Sequence, residues 1–332
     1  MRVGFVGVGA IGGTLAALLD RAGHDVHVAA RGATLDAVRS RGLVLTGAFG
    51  EHTAHPAADS TLAGAALAGP LDLVVFATKA MDGPAAYAAN AAACAGAPVV
   101  VIQNGLDAIR GSGDVLARSR LLGGLSVWAS QQVEPGIIQA TAGGRLVIGP
   151  TSADDPVASL LGDAVPTSTT EDFVGAQWSK LVVNQVNALP AITGLSVQET
   201  IADDRLRAVL TASIRETISV ARGAGVHFGR FQGLSHGLLT LVRLAPFRVA
   251  EQLPRRIARR WGDVPNYGST LQSIRHGLPT EIDYLNGAVV AAAREAGVDA
   301  PINQSLTALV HEVERTGVFL SPEQLQARIL RT

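Results

Sequence analysis

Hydrophobic residues fall along this chain in two regimes. Up to about residue 168, short apolar runs at 1–6, 25–29, 43–46, 71–77 and 98–102 read as buried strands. The stretches that follow the first, second and fourth of these, running to Gly23, over 35–41 and over 84–95, carry apolar residues at helical spacing. Alternation of this kind means βαβ units and a parallel sheet. Segments 120–129, 137–140 and 145–148 then follow with only turns between them, at Glu134-Pro135-Gly136 and Gly143-Gly144. They are expected to extend the same sheet with antiparallel strands. Residues 151–156 form a polar break, and from residue 170 onward the pattern is almost wholly helical. The longest helical stretches are 175–192 and 205–224, another is 281–296, and short helices follow Pro301. Residues 228–267 read as irregular. Two domains are expected, an α/β domain over 1–168 and an all-α domain over 169–332.

Composition narrows the classes of function. The apolar share, 48%, is ample for a sizeable core, and the net charge is −1. That balance offers no electrostatic attraction for nucleic acid or a membrane surface. The most apolar stretch, 85–102, is broken by Asn90, Gly96 and Pro98, which argues against a membrane span. The N-terminus opens on a strand pattern with no charged segment followed by an apolar one, so no signal peptide and a cytoplasmic location are expected. The single cysteine, Cys94, reads as a small core residue. His52-x-x-His55 lacks a third ligand nearby, and no metal is expected. The basic cluster Arg255, Arg256, Arg259 and Arg260 reads as a solvated helix face in preference to an anion site.

The chemistry begins at Gly7-x-Gly9-x-x-Gly12, between the first strand and the first helix. The first glycine makes the tight turn, the second lets the backbone approach a pyrophosphate, and the third lets helix and strand pack closely. A pyrophosphate would then sit over a helix N-terminus, where unpaired N–H groups and the helix dipole favour negative charge. Residues Gly7, Val8, Gly9, Ala10, Ile11 and Gly12 are thus candidate cofactor contacts, and the fingerprint is that of a Rossmann-type domain. After the second strand an NAD-binding chain places a carboxylate for the ribose hydroxyls. Here the residues are Ala29-Ala30-Arg31. Arg31 suits a 2′-phosphate, so NADPH is expected.

Of the 27 basic residues only two are lysines, Lys79 and Lys180. Arginine holds its proton at any ordinary pH and cannot replace a compact ammonium that must release one. Lys79, in Thr78-Lys79-Ala80, and Gln103-Asn104-Gly105 close two of the apolar runs. Such strand ends are where open α/β sheets bind ligands. Lys180 and Asn184 are four apart in a helical stretch and therefore share a face.

These residues resemble the ketopantoate reductase (2-dehydropantoate 2-reductase) family over nearly the whole chain. The resemblance is carried by the glycine loop, Arg31, Thr78-Lys79-Ala80, Gln103-Asn104-Gly105, the run Trp178-Ser179-Lys180-Leu181-Val182-Val183-Asn184, and Pro279-Thr280-Glu281-Ile282-Asp283-Tyr284-Leu285-Asn286-Gly287. It implies helices of the 6-phosphogluconate-dehydrogenase type in the C-terminal domain and a place in pantothenate biosynthesis; the apolar faces of a helical second domain also suit pairing into a homodimer. It implies Lys180 as proton donor to the substrate carbonyl and Glu281 as its catalytic companion. Asn184, Asn187 and Ser269 would bind substrate, while Lys79, Asn104 and Glu281 would line the cofactor. Chemistry agrees, since hydride addition to a ketone builds charge on oxygen that an aimed ammonium can neutralise. Thr280-Glu281-Ile282-Asp283 also reads as a helix start with Thr280 as cap and Asp283 completing a capping-box-like pair.

The resemblance departs on the substrate side. The family places a second asparagine eight residues after the lysine; here Asn187 is seven on and Ala188 occupies the eighth place. A further family asparagine would fall near Val197, and the residues around Ser269 differ as well. A reductase of another ketone or imine, or an NADPH-binding sensor without turnover, stand as alternatives.

Overall fold

The computed structural model describes residues 1–261 and 265–329, with the side chains of Arg260 and Trp261 outside that description. It divides into two compact units, Met1–Phe173 and Val174–Thr332. Among the described residues all strands lie in the first: β1 (Arg2–Val6), β2 (Asp25–Ala29), β3 (Leu43–Gly47), β4 (His52–Ala54), β5 (Ala57–Asp59), β6 (Leu73–Phe76), β7 (Val99–Ile102), β8 (Leu121–Ser126), β9 (Ala129–Glu134), β10 (Ile137–Ala142), β11 (Leu146–Gly149) and β12 (Thr167–Thr169).

Eight of them form one sheet in the order β12-β11-β8-β7-β6-β1-β2-β5. Its strands pair in parallel except where β11 meets β8. The central strands β1, β6 and β7 are nearly continuous apolar runs because helices cover both faces of a parallel sheet. Chain order reverses beside β1, between β2 on one side and β6 on the other, which opens the crevice where such sheets take ligands.

Strands 9 and 10 correct the expectation of a single extended sheet. They join β3 and β4 in a separate four-stranded sheet, β4-β3-β10-β9, while β8 pairs in parallel with β7. The burial pattern gives the reason. In β8 the central residues are all buried, whereas in β10 buried Ile138 and Ala140 alternate with exposed Gln139 and Thr141. One face of the small sheet packs and the other meets solvent. The packed face meets the Ala10–Arg21 helix, whose residues Gly12 to Leu19 are all buried because it lies between two sheets. Gly12 abuts the backbone oxygen of Gly7 and the side chain of Ala77, and Gly13 abuts Ile138 of β10. The paired glycines therefore admit a sheet on each side.

The second unit is helical. The Phe173–Asn184 helix runs on through a 3₁₀ turn at Gln185–Asn187 into Ala188–Thr193. Pro190 explains the tightening: it has no N–H for the carbonyl of Val186, and its ring crowds that carbonyl. The Asp204–Gly223 helix follows, with Asp203 accepting from the N–H groups of Arg205 and Leu206 at its start. Residues 228–267, read as irregular, contain helices His236–Leu244, Phe247–Ala250 and Gln252–Trp261. Pro246 and Pro254 interrupt the apolar spacing there, which hid the period. Among the described residues no helix is long and apolar enough to cross a membrane. Cys94 is fully buried, and burial pushes its thiol up to about 12.

Candidate active site

The glycine loop has the shape its spacing dictates. Gly7 has φ +88° and sits against Thr78, so a side chain there would be both strained and blocked. A Cβ on Gly12 would lie 2.1 Å from the Gly7 oxygen. Gly9, by contrast, would meet only the Gln132 Oε1, at 3.9 Å, so its backbone is open to close approach. It caps the Ala10–Arg21 helix without any side-chain hydrogen bond at that end. A cradle of backbone bounded by glycines, at the start of a twelve-residue helix, fits a dinucleotide pyrophosphate. Val8 is buried beneath it, and Ala10 and Ile11 form the first helical turn.

Arg31 is exposed at the N-cap of the Gly32–Arg41 helix, directly after β2. Lys79 and Asn104, both half-buried, follow β6 and β7. Gln103 ties these two strand ends together. Its Nε2 donates to Thr78 Oγ1 at 3.1 Å and to the Lys79 carbonyl at 3.4 Å, and its Oε1 accepts from the Tyr87 hydroxyl at 2.8 Å. Burial raises the Tyr87 phenol to about 12, which keeps it a donor. Gln132 of β9 lies between Gly9 and Thr34, to whose hydroxyl it donates at 3.3 Å. Neither Gln103 nor Gln132 is named by the motif spacing. Gln103 sits inside a quoted motif, but Gln132 comes from the small sheet and had no signal to expose it.

In the second unit, every residue from Gly175 to Ile192 is buried except Lys180 and Asn184. Over Gly175 to Ile192 the shared face expected from their spacing is thus the one opening. Desolvation lowers the Lys180 ammonium from its ordinary value of 10.5 to about 8, and the Glu281 carboxylate opposes that shift. Near neutral pH the group is still mostly protonated but can release its proton readily.

Asn187 is brought onto the same line by the 3₁₀ turn, in which residues three apart eclipse. This gives the altered asparagine spacing a physical form. Its side chain is engaged locally: Nδ2 donates to the Asn184 carbonyl at 3.1 Å, and Oδ1 lies where a Cβ on Gly268 would be, at 2.6 Å. Gly268, at φ +66°, starts the Gly268–Arg275 helix, and exposed Ser269 is its second residue.

The Glu281 segment differs from the expected helix start. Residues Ile282–Tyr284 form a 3₁₀ turn and the α-helix begins at Asn286. Thr280 Oγ1 accepts from the N–H of Ile282, while the Thr280 N–H donates to Glu314 at 2.7 Å. Asp283 pairs with His311 Nε2 at 2.9 Å instead of completing a capping box. Both flanks of Glu281 are therefore held by the Pro301–Thr316 helix. His52, considered as a metal ligand, pairs with Asp20 at 2.8 Å, and no cluster able to hold a metal ion occurs among the described residues.

Comparison with known proteins places this geometry. A family model described as "Ketopantoate reductase PanE/ApbA" matches residues 3–153, and one described as "Ketopantoate reductase PanE/ApbA C terminal" matches residues 172–314. The chain is 26% identical over 326 residues to a 2-dehydropantoate 2-reductase of Pyrococcus horikoshii, covering 96% of this chain and 99% of that one. A crystal structure of a PanE/ApbA family ketopantoate reductase from Ralstonia eutropha JMP134 superposes with a TM-score of 0.80 at 30% identity, covering 95% of this chain and 99% of that one. A D-mandelate dehydrogenase solved with NADH and anilino(oxo)acetate also has a TM-score of 0.80, over 95% of this chain and 99% of that one, but at 18% identity the likeness is one of fold alone.

Proposed function

The chain belongs to the ketopantoate reductase family, oxidoreductases acting on a CH–OH group with a nicotinamide cofactor, and on that premise we propose that it reduces a small 2-oxo acid, 2-dehydropantoate to pantoate, with NADPH. The observation that carries this reading is Lys180, an ammonium lowered to about 8 on the open face of a buried helix, with a carboxylate acting on it. When bound, the reduced nicotinamide supplies the hydride. Lys180 gives its proton to the carbonyl oxygen as negative charge develops there, so the ketone becomes an alcohol and the lysine becomes neutral. In the reverse direction the neutral amine takes the proton back. Glu281 favours the charged lysine and so keeps the acid loaded. Asn184, Asn187 and Ser269 hydrogen-bond the substrate, and the Asn187 side chain packs where Gly268 has no Cβ.

The glycine loop from Gly7 to Gly12, with Val8, Ala10 and Ile11, holds the pyrophosphate, and Lys79 and Asn104 line the nicotinamide half. Arg31 takes the 2′-phosphate, since it stands where a ribose-binding carboxylate would otherwise be. The retained acid argues against a sensor, which needs no proton donor. The test is NADPH and NADH oxidation against 2-dehydropantoate, other 2-oxo acids, neutral ketones and imines. The expected result is turnover on 2-dehydropantoate with a lower KM for NADPH, and an Arg31→Ala variant whose preference falls by about tenfold or more. Turnover confined to imines or neutral ketones, or a preference for NADH, contradicts the reading.

A further inference from the structure

The four-stranded sheet turns a mostly apolar face to the Ala10–Arg21 helix, and its register shows which residues lie on that face. Leu45 stands beside Ile138 and opposite His52, Leu43 stands opposite Ala54, and Ile138 and Ala140 stand opposite Gln132 and Ser130. Side chains paired in this way point to one side of a sheet. The apolar ones among them are all buried. Three polar residues share the face, His52, Ser130 and Gln132, and two of these meet a polar side chain of the helix. His52 pairs with Asp20 at 2.8 Å, and the Ser130 hydroxyl lies 3.0 Å from that of Thr14. Gln132, two residues beyond Ser130 on the edge strand β9, reaches Gly9, where the helix begins and offers no side chain.

Gln132 is half-buried there. Its Oε1 would lie 3.9 Å from a Cβ on Gly9, and it accepts no hydrogen bond among the described residues. Its Nε2 donates to the Thr34 hydroxyl at 3.3 Å. A hydroxyl can accept or donate, so half a turn of the amide exchanges its two polar atoms and keeps the bond to Thr34. The turned amide presents its NH2 to the open backbone of Gly9. Beside an anion that is the favoured orientation, since an amide oxygen repels a phosphate and an amide N–H donates to it. The helix start favours negative charge at the same place. An apolar residue would pack against a glycine equally well, and a half-buried amide recovers its lost hydration only where it finds a partner.

We propose that Gln132 is a dinucleotide-binding residue whose side-chain amide donates to a pyrophosphate oxygen held over Gly9. The proposal rests on the reading of the glycine loop as a dinucleotide site. It adds a contact from outside the βαβ units, supplied by the sheet that covers the first helix. A hydrogen bond from a neutral amide to a charged oxygen is expected to change affinity by about tenfold.

The test measures the Kd of NADPH from its fluorescence, with no 2-oxo acid present, in the unaltered chain, Gln132→Met and Gln132→Glu. Adenosine 2′-monophosphate, which has no pyrophosphate, is measured by its displacement of NADPH. Gln132→Met keeps the length of the side chain and removes the donor. It is expected to raise the Kd of NADPH about tenfold and to change that of the monophosphate less than about threefold. Gln132→Glu can still accept from the Thr34 hydroxyl, so a role confined to packing or to that bond would leave it like the parent. Because it sets a negative charge against the pyrophosphate, it is expected to bind NADPH about a hundredfold or more weakly. A Glu variant that binds NADPH as tightly as the parent, a Met variant that does so, or a Met variant that weakens both ligands alike overturns the proposal while the dinucleotide reading stands. An unaltered chain that binds neither NADPH nor NADH overturns both.

Discussion

At the scale of single residues, Lys180 sets function against stability. A half-buried ammonium loses part of a hydration shell that its partner only partly replaces. Its value near 8 records that loss, because the unfolded chain binds the same proton with a pKa of 10.5. Between those two values the unfolded state holds more protons, so stability rises with pH across that window. Below pH 8 the lysine is a standing cost. Lys180→Met is therefore expected to raise the urea midpoint at pH 7, by about 1–2 kcal/mol of stability, while abolishing turnover. The advantage should shrink as pH climbs from 8 to 10.5. A Met variant less stable than the parent at pH 7 would show that the lysine is held by more than Glu281. The rarity of lysine made this residue visible in sequence; its half-buried setting and the sign of its shift were not visible there.

At the scale of elements, legibility followed burial pattern. The strands β1, β6 and β7 and the first helix were readable because an enclosed parallel strand is a continuous apolar run and the glycine spacing is fixed by close approach. The small sheet was readable as strands but not as a sheet. Alternation in 137–140 says that one face is covered, and only the packing of Ile138 on Gly13 says by what. The Gln252–Trp261 helix carried a four-residue apolar spacing, Leu253 to Ile257, that Pro254 obscured. Asn187 stands one place short of the family spacing, and the turn that carries it, before Pro190, is 3₁₀. That turn and Gly268 form a matched pair. Gly268→Ala puts a Cβ at φ +66° and 2.6 Å from Asn187 Oδ1. The expected result is a loss of about 2 kcal/mol in denaturant unfolding and a several-fold higher KM for the 2-oxo acid with KM for the dinucleotide unchanged. A fully active, equally stable Ala variant would show that the pairing is idle.

At the scale of the molecule, a chain of buried polar contacts runs through the helical unit. Gln185, next to Asn184, is fully buried; its Oε1 accepts from Ser213 at 2.9 Å and from Asn286 at 2.8 Å. Asn286 in turn donates to Asn303 at 3.0 Å, and Glu216 accepts the backbone N–H groups of Ile302 and Asn303, 3.0 and 2.7 Å, at the start of the Pro301–Thr316 helix. The farther end of that helix holds the flanks of Glu281 through Glu314 and His311. Burial lowers the His311 pKa, but its hydrogen bonds with Asp283 and Glu314 outweigh that and raise it. A raised histidine stabilises fully below its unfolded value and loses that contribution as pH rises through the folded value. The stability difference between the parent chain and His311→Asn, from urea midpoints, is therefore expected to be larger at pH 6 than at pH 8.5; the opposite order would show that the clasp is not ionic. In the proposed function this framework serves one proton transfer. Turnover of 2-dehydropantoate by Lys180→Ala, measured beside its affinity for NADPH, is expected to fall by 10²–10⁴-fold with binding retained. Unchanged turnover in that variant would contradict the assignment of Lys180 as the acid.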